Sequence, residues 1–179
     1  MGFTAPGDVH DPTTAGLIPT SWGDAVNAAV LWLGSSRPAC RVYNSANFTH
    51  NSTGNWLAVT FNSERYDTTG LHSVAANTSR ITIAETGLYE VGGCVEFAGN
   101  STGRRDVQVW VDGSSANAFL ADGNDGLGSG VWRKTINGPF RIAAGSYIEL
   151  MVFQSSGGNL AVNNNGNYSP EFWCHWIGA

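Results

Sequence analysis

Lysine is almost missing from this chain. Lys134 is the only one, and charged residues make up 13% of the 179, about half the share usual in a soluble domain. A net charge of -5 with no basic run argues against a nucleic acid partner, because phosphate-backbone binding needs clustered Lys and Arg. Long apolar runs are lacking too, so no membrane insertion is expected. The opening Met1-Gly-Phe-Thr has neither the basic region nor the apolar stretch of a secretory leader, and synthesis in a cytoplasm without a signal peptide is expected. Cys40, Cys94 and Cys174 are odd in number and widely spaced, with no CxxC; they read as buried free thiols.

Convergent catalytic signals are thin. There is no G-x-S-x-G, H-E-x-x-H or P-loop, so the chain is expected not to be an enzyme and to hold no cofactor or metal. The segment "ADGNDGLGSG" has the composition of a calcium loop without its ordered ligand spacing. His10, His50, His72 and His175 are scattered. His50 and His72 fall in polar, turn-like segments and read as solvated, whereas His175, between Trp173 and Trp176, reads as packed or at an interface. The pairs Glu64/Asp67 and Asp122/Asp125 read as solvated loop charges, since glycoside hydrolysis needs two carboxyls set across a sugar.

What the chain has is glycine (23) and a large stock of Asn, Ser and Thr, arranged in two parts. Residues 1–36 form an N-terminal arm and a short helix, and residues 37–179 a β domain. The arm, "MGFTAPGDVHDPTTAGLIPT", carries turn formers and no period, so it is expected to lie on a sister chain or a larger assembly. In "TSWGDAVNAAVLWLGSS" Ser21 is the expected N-cap, Asp24 falls in the first turn and Gly34 is the stop. Trp22, Val26, Ala29 and Leu33 form one apolar seam at 4-3-4 spacing. That seam suits a short trimerising coil, or packing against the chain's own domain.

From Arg37 onward the period is two. Tyr89, Val91, Val95 and Phe97 share one face, and Glu90, Cys94 and Glu96 the other. Between them Gly92-Gly93 suggests a bulge or a close approach of backbone. "DVQVWVDG" puts Val107, Val109 and Val111 inward and ends in a hairpin signal at Asp112-Gly113. In "PFRIAAGSYIELMVFQSSGG" one face carries Ile148, Leu150 and Val152 and the other Tyr147, Met151 and Phe153. The strand therefore reads as covered on both sides, and Tyr147, Met151 and Phe153 are candidates for an interface between copies or for a second core face. "CRVYNSAN", "WLAVTFN", "GNLAVNNN" and "EFWCHWIG" add further strands. Many short strands between Gly/Asn turns predict an all-β antiparallel sandwich. Of seven tryptophans, Trp56, Trp110 and Trp132 are candidates to stack on sugars beside Asn and Asp, with burial as the competing reading.

Four motifs, in order, carry a resemblance over about 140 residues: "ITIAETGLYEV" with Gly87 and Tyr89, "VQVWVDG", "FRIAAGSYIELMV" and "SPEFWCHWIG". The series resembles the C1q/TNF-like jelly roll. The resemblance implies an antiparallel ten-strand jelly-roll sandwich that assembles as a homotrimer about a threefold axis. The prefix "GLIPTSWGDAVNAAVLWL" is similar to the start of bacteriophage minor tail and other virion proteins. Together these predict a non-enzymatic phage virion structural protein displayed on the particle surface, as capsid decoration, head fibre or tail tip. Its arm would dock on other virion proteins, and the domain would adhere to host-surface glycan. The alternatives are a carbohydrate-binding module and a trimeric cellular surface protein of the spore-coat kind.

Overall fold

The computed structural model describes residues 20–51, 53–124 and 128–179. It divides into two units, Met1–Arg37 and Pro38–Ala179. In the first, helix α1 spans Thr20–Leu31 and passes into a π-helical turn, Trp32–Ser36. The helix therefore starts one residue before the expected cap at Ser21, and Asp24 lies beyond its first turn. Helical backbone also runs through Gly34, and the chain becomes extended only at Arg37, because the residue before Pro38 is held out of the helical region. The arm, residues 1–19, lies outside the described residues.

The second unit is all-β. Its strands are β1 (Ala39–Tyr43), β2 (Phe48–His50), β3 (Trp56–Ala58), β4 (Ser63–Asp67), β5 (Arg80–Thr82) and β6 (Gly87–Phe97). After these come β7 (Arg105–Val111), β8 (Leu120–Asn124), β9 (Trp132–Ile142), β10 (Tyr147–Gln154), β11 (Leu160–Val162) and β12 (Glu171–Gly178). All pairings are antiparallel. In the first sheet β6 lies between β9 and β12, followed by β1 and β4, and the β2–β11 pair joins the far end of β6 at Val162–Phe97. In the second, β3 and β5 bond to β10, which pairs with β7, and β7 with β8.

The core lies between the sheets and follows the alternation. Cys40, Val42, Tyr89, Val91, Val95, Phe97, Phe172 and Cys174 face inward from the first sheet. Val107, Val109, Ile148, Leu150 and Val152 meet them from the second. Each fully buried aliphatic or aromatic side chain contributes about 1.5–3 kcal/mol. Among the described residues, β9, which holds Pro139, bonds only to β6, the edge position that tolerates a missing N–H. The Asp112-Gly113 signal makes the expected tight turn, both residues at positive φ (52° and 67°) with Val111 bridged to Ser114.

Gly92 and Gly93 do not form a bulge: β6 pairs with β9 and with β12 in unbroken register through both. Side chains, not backbone, approach there. A Cβ on Gly92 would collide with the Trp173 indole, and one on Gly93 with the Leu150 side chain. On opposite faces of one strand, each glycine is a socket for a large neighbour.

Candidate functional site

The two sheets turn different chemistry outward. On the second sheet, Tyr147, Met151 and Phe153 share the outer face of β10. Trp56 on β3 stands opposite Phe153, and Trp110 joins from β7. The Trp56 ring centroid is 5.6 Å from those of both Trp110 and Phe153. Trp110 donates from Nε1 to Gln108 Oε1 at 2.6 Å. Met151 is nearly covered, at 7% exposed, while Arg80 lies over Tyr147 and Arg104 over Phe153, 3.9 Å and 5.8 Å from the ring centroids. The result is a partly buried aromatic platform that also holds the Glu149 carboxylate, bonded to Ser79 and Arg80, with cations at its edges.

Trp132 is not part of any surface. It begins β9 with its ring turned into the core against Phe97, 7% exposed, so it has no face to offer a sugar. The inward phase of β9 decides this, and residue type alone does not reveal it. In the first unit Trp22, Val26 and Leu33 are 55%, 40% and 51% exposed, and Ala29 is exposed as well.

The first sheet's outer face is polar and densely bonded. Glu171 on β12 is fully buried, yet its carboxylate takes two guanidiniums. Arg41 donates from Nε to Oε2, while Arg65 donates to Oε1 from Nε at 3.1 Å and Nη2 at 2.8 Å. Arg41 Nη2 also reaches the Asn167 carbonyl (3.2 Å) and Arg65 Nη2 the Gly166 carbonyl (2.9 Å). Arg65 lies over the Tyr43 ring at 3.8 Å. The β1–β4 register slips between Arg41 and Val42, which pair with Tyr66 and Glu64. Arg65 is the extra residue of that bulge, so Arg65 and Tyr66, although consecutive, serve one face. With Arg41 and Asn167 they line a cleft of about 300 Å³.

Tyr66 stacks on His175, and its hydroxyl is hydrogen-bonded to His175 Nε2 at 2.5 Å. Burial, helped by the Arg41 charge, pushes the His175 pKa down, which favours the neutral imidazole. A second buried carboxylate, Glu96, takes bonds from Arg133, Asn163 and Asn165, and Arg133 also donates to the Tyr168 hydroxyl at 2.9 Å. Desolvation pushes the Glu96 pKa up, but the bonds from Asn163, Arg133 and Asn165 outweigh it, and the net shift is downward.

The remaining titratable groups are mostly structural. His50 is fully buried, contrary to the solvated reading, with Nε2 3.1 Å from the Val152 carbonyl. The His72 side chain is buried too, between Glu64 Oε1 (2.9 Å) and the Thr78 carbonyl (3.2 Å). Both sit in polar sequence but are covered by other segments, which local polarity cannot show. Glu64 and Asp67 are not free loop charges: they belong to β4, and Asp67 accepts the backbone N–H groups of Thr69 and His72. Asp122 pairs with Lys134 at 2.9 Å, and its sequence partner Asp125 lies outside the described residues. The three cysteines are free and buried. Among the described residues no group of three or more His, Cys, Asp or Glu is placed to hold a metal ion.

The sequence reading missed Arg41, Arg65, Tyr66, Asn167 and Glu171. Outward positions of β1 and β12 were legible from alternation, but the bulge that joins Arg65 to Tyr66 leaves no local mark.

This architecture is a C1q/TNF-like antiparallel jelly roll. Solved structures similar to it include murine APRIL, with TM-score 0.60 and 11% identity over 79% of this chain and 99% of that one. The globular domain of zebrafish complement 1qA protein aligns with TM-score 0.54 and 17% identity, covering 79% of this chain and 98% of its own. No family model matches the sequence, and no curated protein matches it.

Proposed function

We propose that this chain is a non-enzymatic, homotrimeric display protein on the surface of a bacteriophage particle. The observation that carries the trimer is the C1q/TNF-like jelly roll preceded by a helix whose seam, Trp22, Val26, Ala29 and Leu33, is exposed. A helix of about three turns is marginal alone, so three such helices brought together would supply one another's missing apolar surface. The virion location draws its support from the "GLIPTSWGDAVNAAVLWL" prefix and the charge-poor composition. Three copies on one axis convert weak contacts into avidity through effective concentration. Light scattering at micromolar concentration is expected to return three times 19.0 kDa, and mass spectrometry of purified particles to find the chain. A monomer by the first measurement, or particles without the chain by the second, overturns the corresponding half of the proposal.

A second reading, adhesion to host glycan, draws on the pairing of Trp56 with Trp110 at 5.6 Å on one partly buried outer face. Aromatic faces stack on the apolar side of sugars. Binding to a glycan array that Trp110→Ala removes supports it, and an array without binding rejects it.

A further inference from the structure

We propose that the cleft between Arg41, Arg65, Tyr66 and Asn167 binds the carboxylate of an acidic monosaccharide of the uronate or sialate class. This rests neither on the trimer nor on the Trp56–Trp110 face, which belongs to the other sheet.

Charge is the first argument. Two guanidiniums face one buried carboxylate, Glu171, so the cluster keeps one positive charge in a protein of net charge -5. A carboxylate monoanion neutralises that surplus. A phosphate dianion would overshoot it beside Glu171.

Donor accounting is the second. The bonds to Glu171 and to the carbonyls of Gly166 and Asn167 use Nε and Nη2 of both arginines. Among the described residues the Nη1 group of each is left unspent, and an arginine carries five donors in a fixed fork. Arg41 and Arg65 remain 37% and 30% exposed at the side chain, and both line the cleft. Holding both forks on Glu171 also removes most of the ordering cost that binding would otherwise meet.

Shape is the third. About 300 Å³ is the lower end of small-ligand sites and matches one sugar residue. Tyr66, 40% exposed and stacked on His175 through its ring, also lines the cleft and brings aromatic surface beside the arginines, suited to a sugar's apolar face. Asn167, which also lines the cleft, carries an amide suited to hydroxyls. An inorganic anion would use the arginines and leave aromatic surface and amide idle.

The test is NMR titration of the full chain with methyl glucuronide, N-acetylneuraminate, methyl glucoside, sodium acetate and a sulfated monosaccharide at matched ionic strength. Saturable shifts at Arg41, Arg65 and Tyr66 are expected from one of the two acidic sugars, with Kd of about 1 mM or tighter. Methyl glucoside is expected to give none, and acetate to bind at least about tenfold more weakly. Equal affinity for acetate, or a stronger response to the sulfated sugar, overturns the assignment. Asn167→Asp keeps the carbonyl that accepts from Arg41 and adds a carboxylate to the cleft lining, so affinity should fall about tenfold. Ser115→Asp adds the same charge on an exposed turn beside the other sheet and should leave affinity unchanged. If the two variants bind alike while their urea midpoints match the parent, the cleft is not the site.

Discussion

The Trp173 indole of β12 occupies the space where Gly92 of β6, its direct cross-strand partner, would carry a Cβ. The pair couples a residue with no side chain to the bulkiest one, on the face that also carries Arg41 stacked at 5.4 Å on Trp173.

Gly92→Ala is therefore expected to destabilise the domain by about 1–3 kcal/mol through overpacking. Urea unfolding measures it, and Trp173→Ala supplies the cycle. In the Trp173→Ala background the alanine at 92 should cost much less. Equal costs in both backgrounds would show that the indole is not the obstacle.

Replacing Glu171 by Gln removes the one carboxylate that two guanidiniums share. Breaking a fully buried pair costs about 3–5 kcal/mol. Here both arginines are roughly one-third exposed and partly rehydrate, so about 2 kcal/mol is expected. The loss should shrink in high salt, which screens the repulsion between the freed cations. A midpoint within error of the parent would contradict the role assigned to Glu171.

Acid should weaken the fold in two stages. Burial lowers the pKa of His50 and of His175 below the ordinary 6.5, with Arg41 adding to the effect at His175. The unfolded chain then takes up protons first, so stability present above about pH 6.5 is lost as pH falls toward the folded-state values. Glu96, shifted below its ordinary 4.5, keeps its contribution through that range and loses it only in stronger acid. Urea midpoints from about pH 7.5 to about 5 should decline, and His175→Gln should flatten part of the slope. A flat profile in the parent rejects the histidine assignment.

The thiols should be silent until the chain opens. Burial raises the pKa of all three, that of Cys174 to about 12, with Asp67 adding to the effect at Cys40 and Cys174. A thiol reagent at about pH 8 is expected to label none of them in the folded protein, since only the thiolate reacts. All three should be labelled in denaturant. Fast labelling of one site in native conditions would place that cysteine at the surface.

Much of the fold was legible because burial follows a period of two. Tyr89, Val91, Val95 and Phe97 announce an inward face, as do Ile148, Leu150 and Val152, and Asp112-Gly113 announces a turn. Less was legible wherever a residue's neighbour comes from a distant strand. His50 and His72 look solvated in sequence but are buried in the fold, and Trp132 looks like its surface relatives until the phase of β9 turns it inward.

By itself the sequence determined the sandwich class, the inward faces and the scarcity of catalytic groups, since these depend on local alternation and residue type. Only the tertiary structure decided that Gly92 and Gly93 are sockets for Trp173 and Leu150 and that a bulge sets Arg65 beside Tyr66. It also brought Arg41 and Arg65 together on the buried carboxylate of Glu171. All of these depend on register between strands distant in the chain, by more than 100 residues for the two arginines and Glu171, which no local pattern encodes.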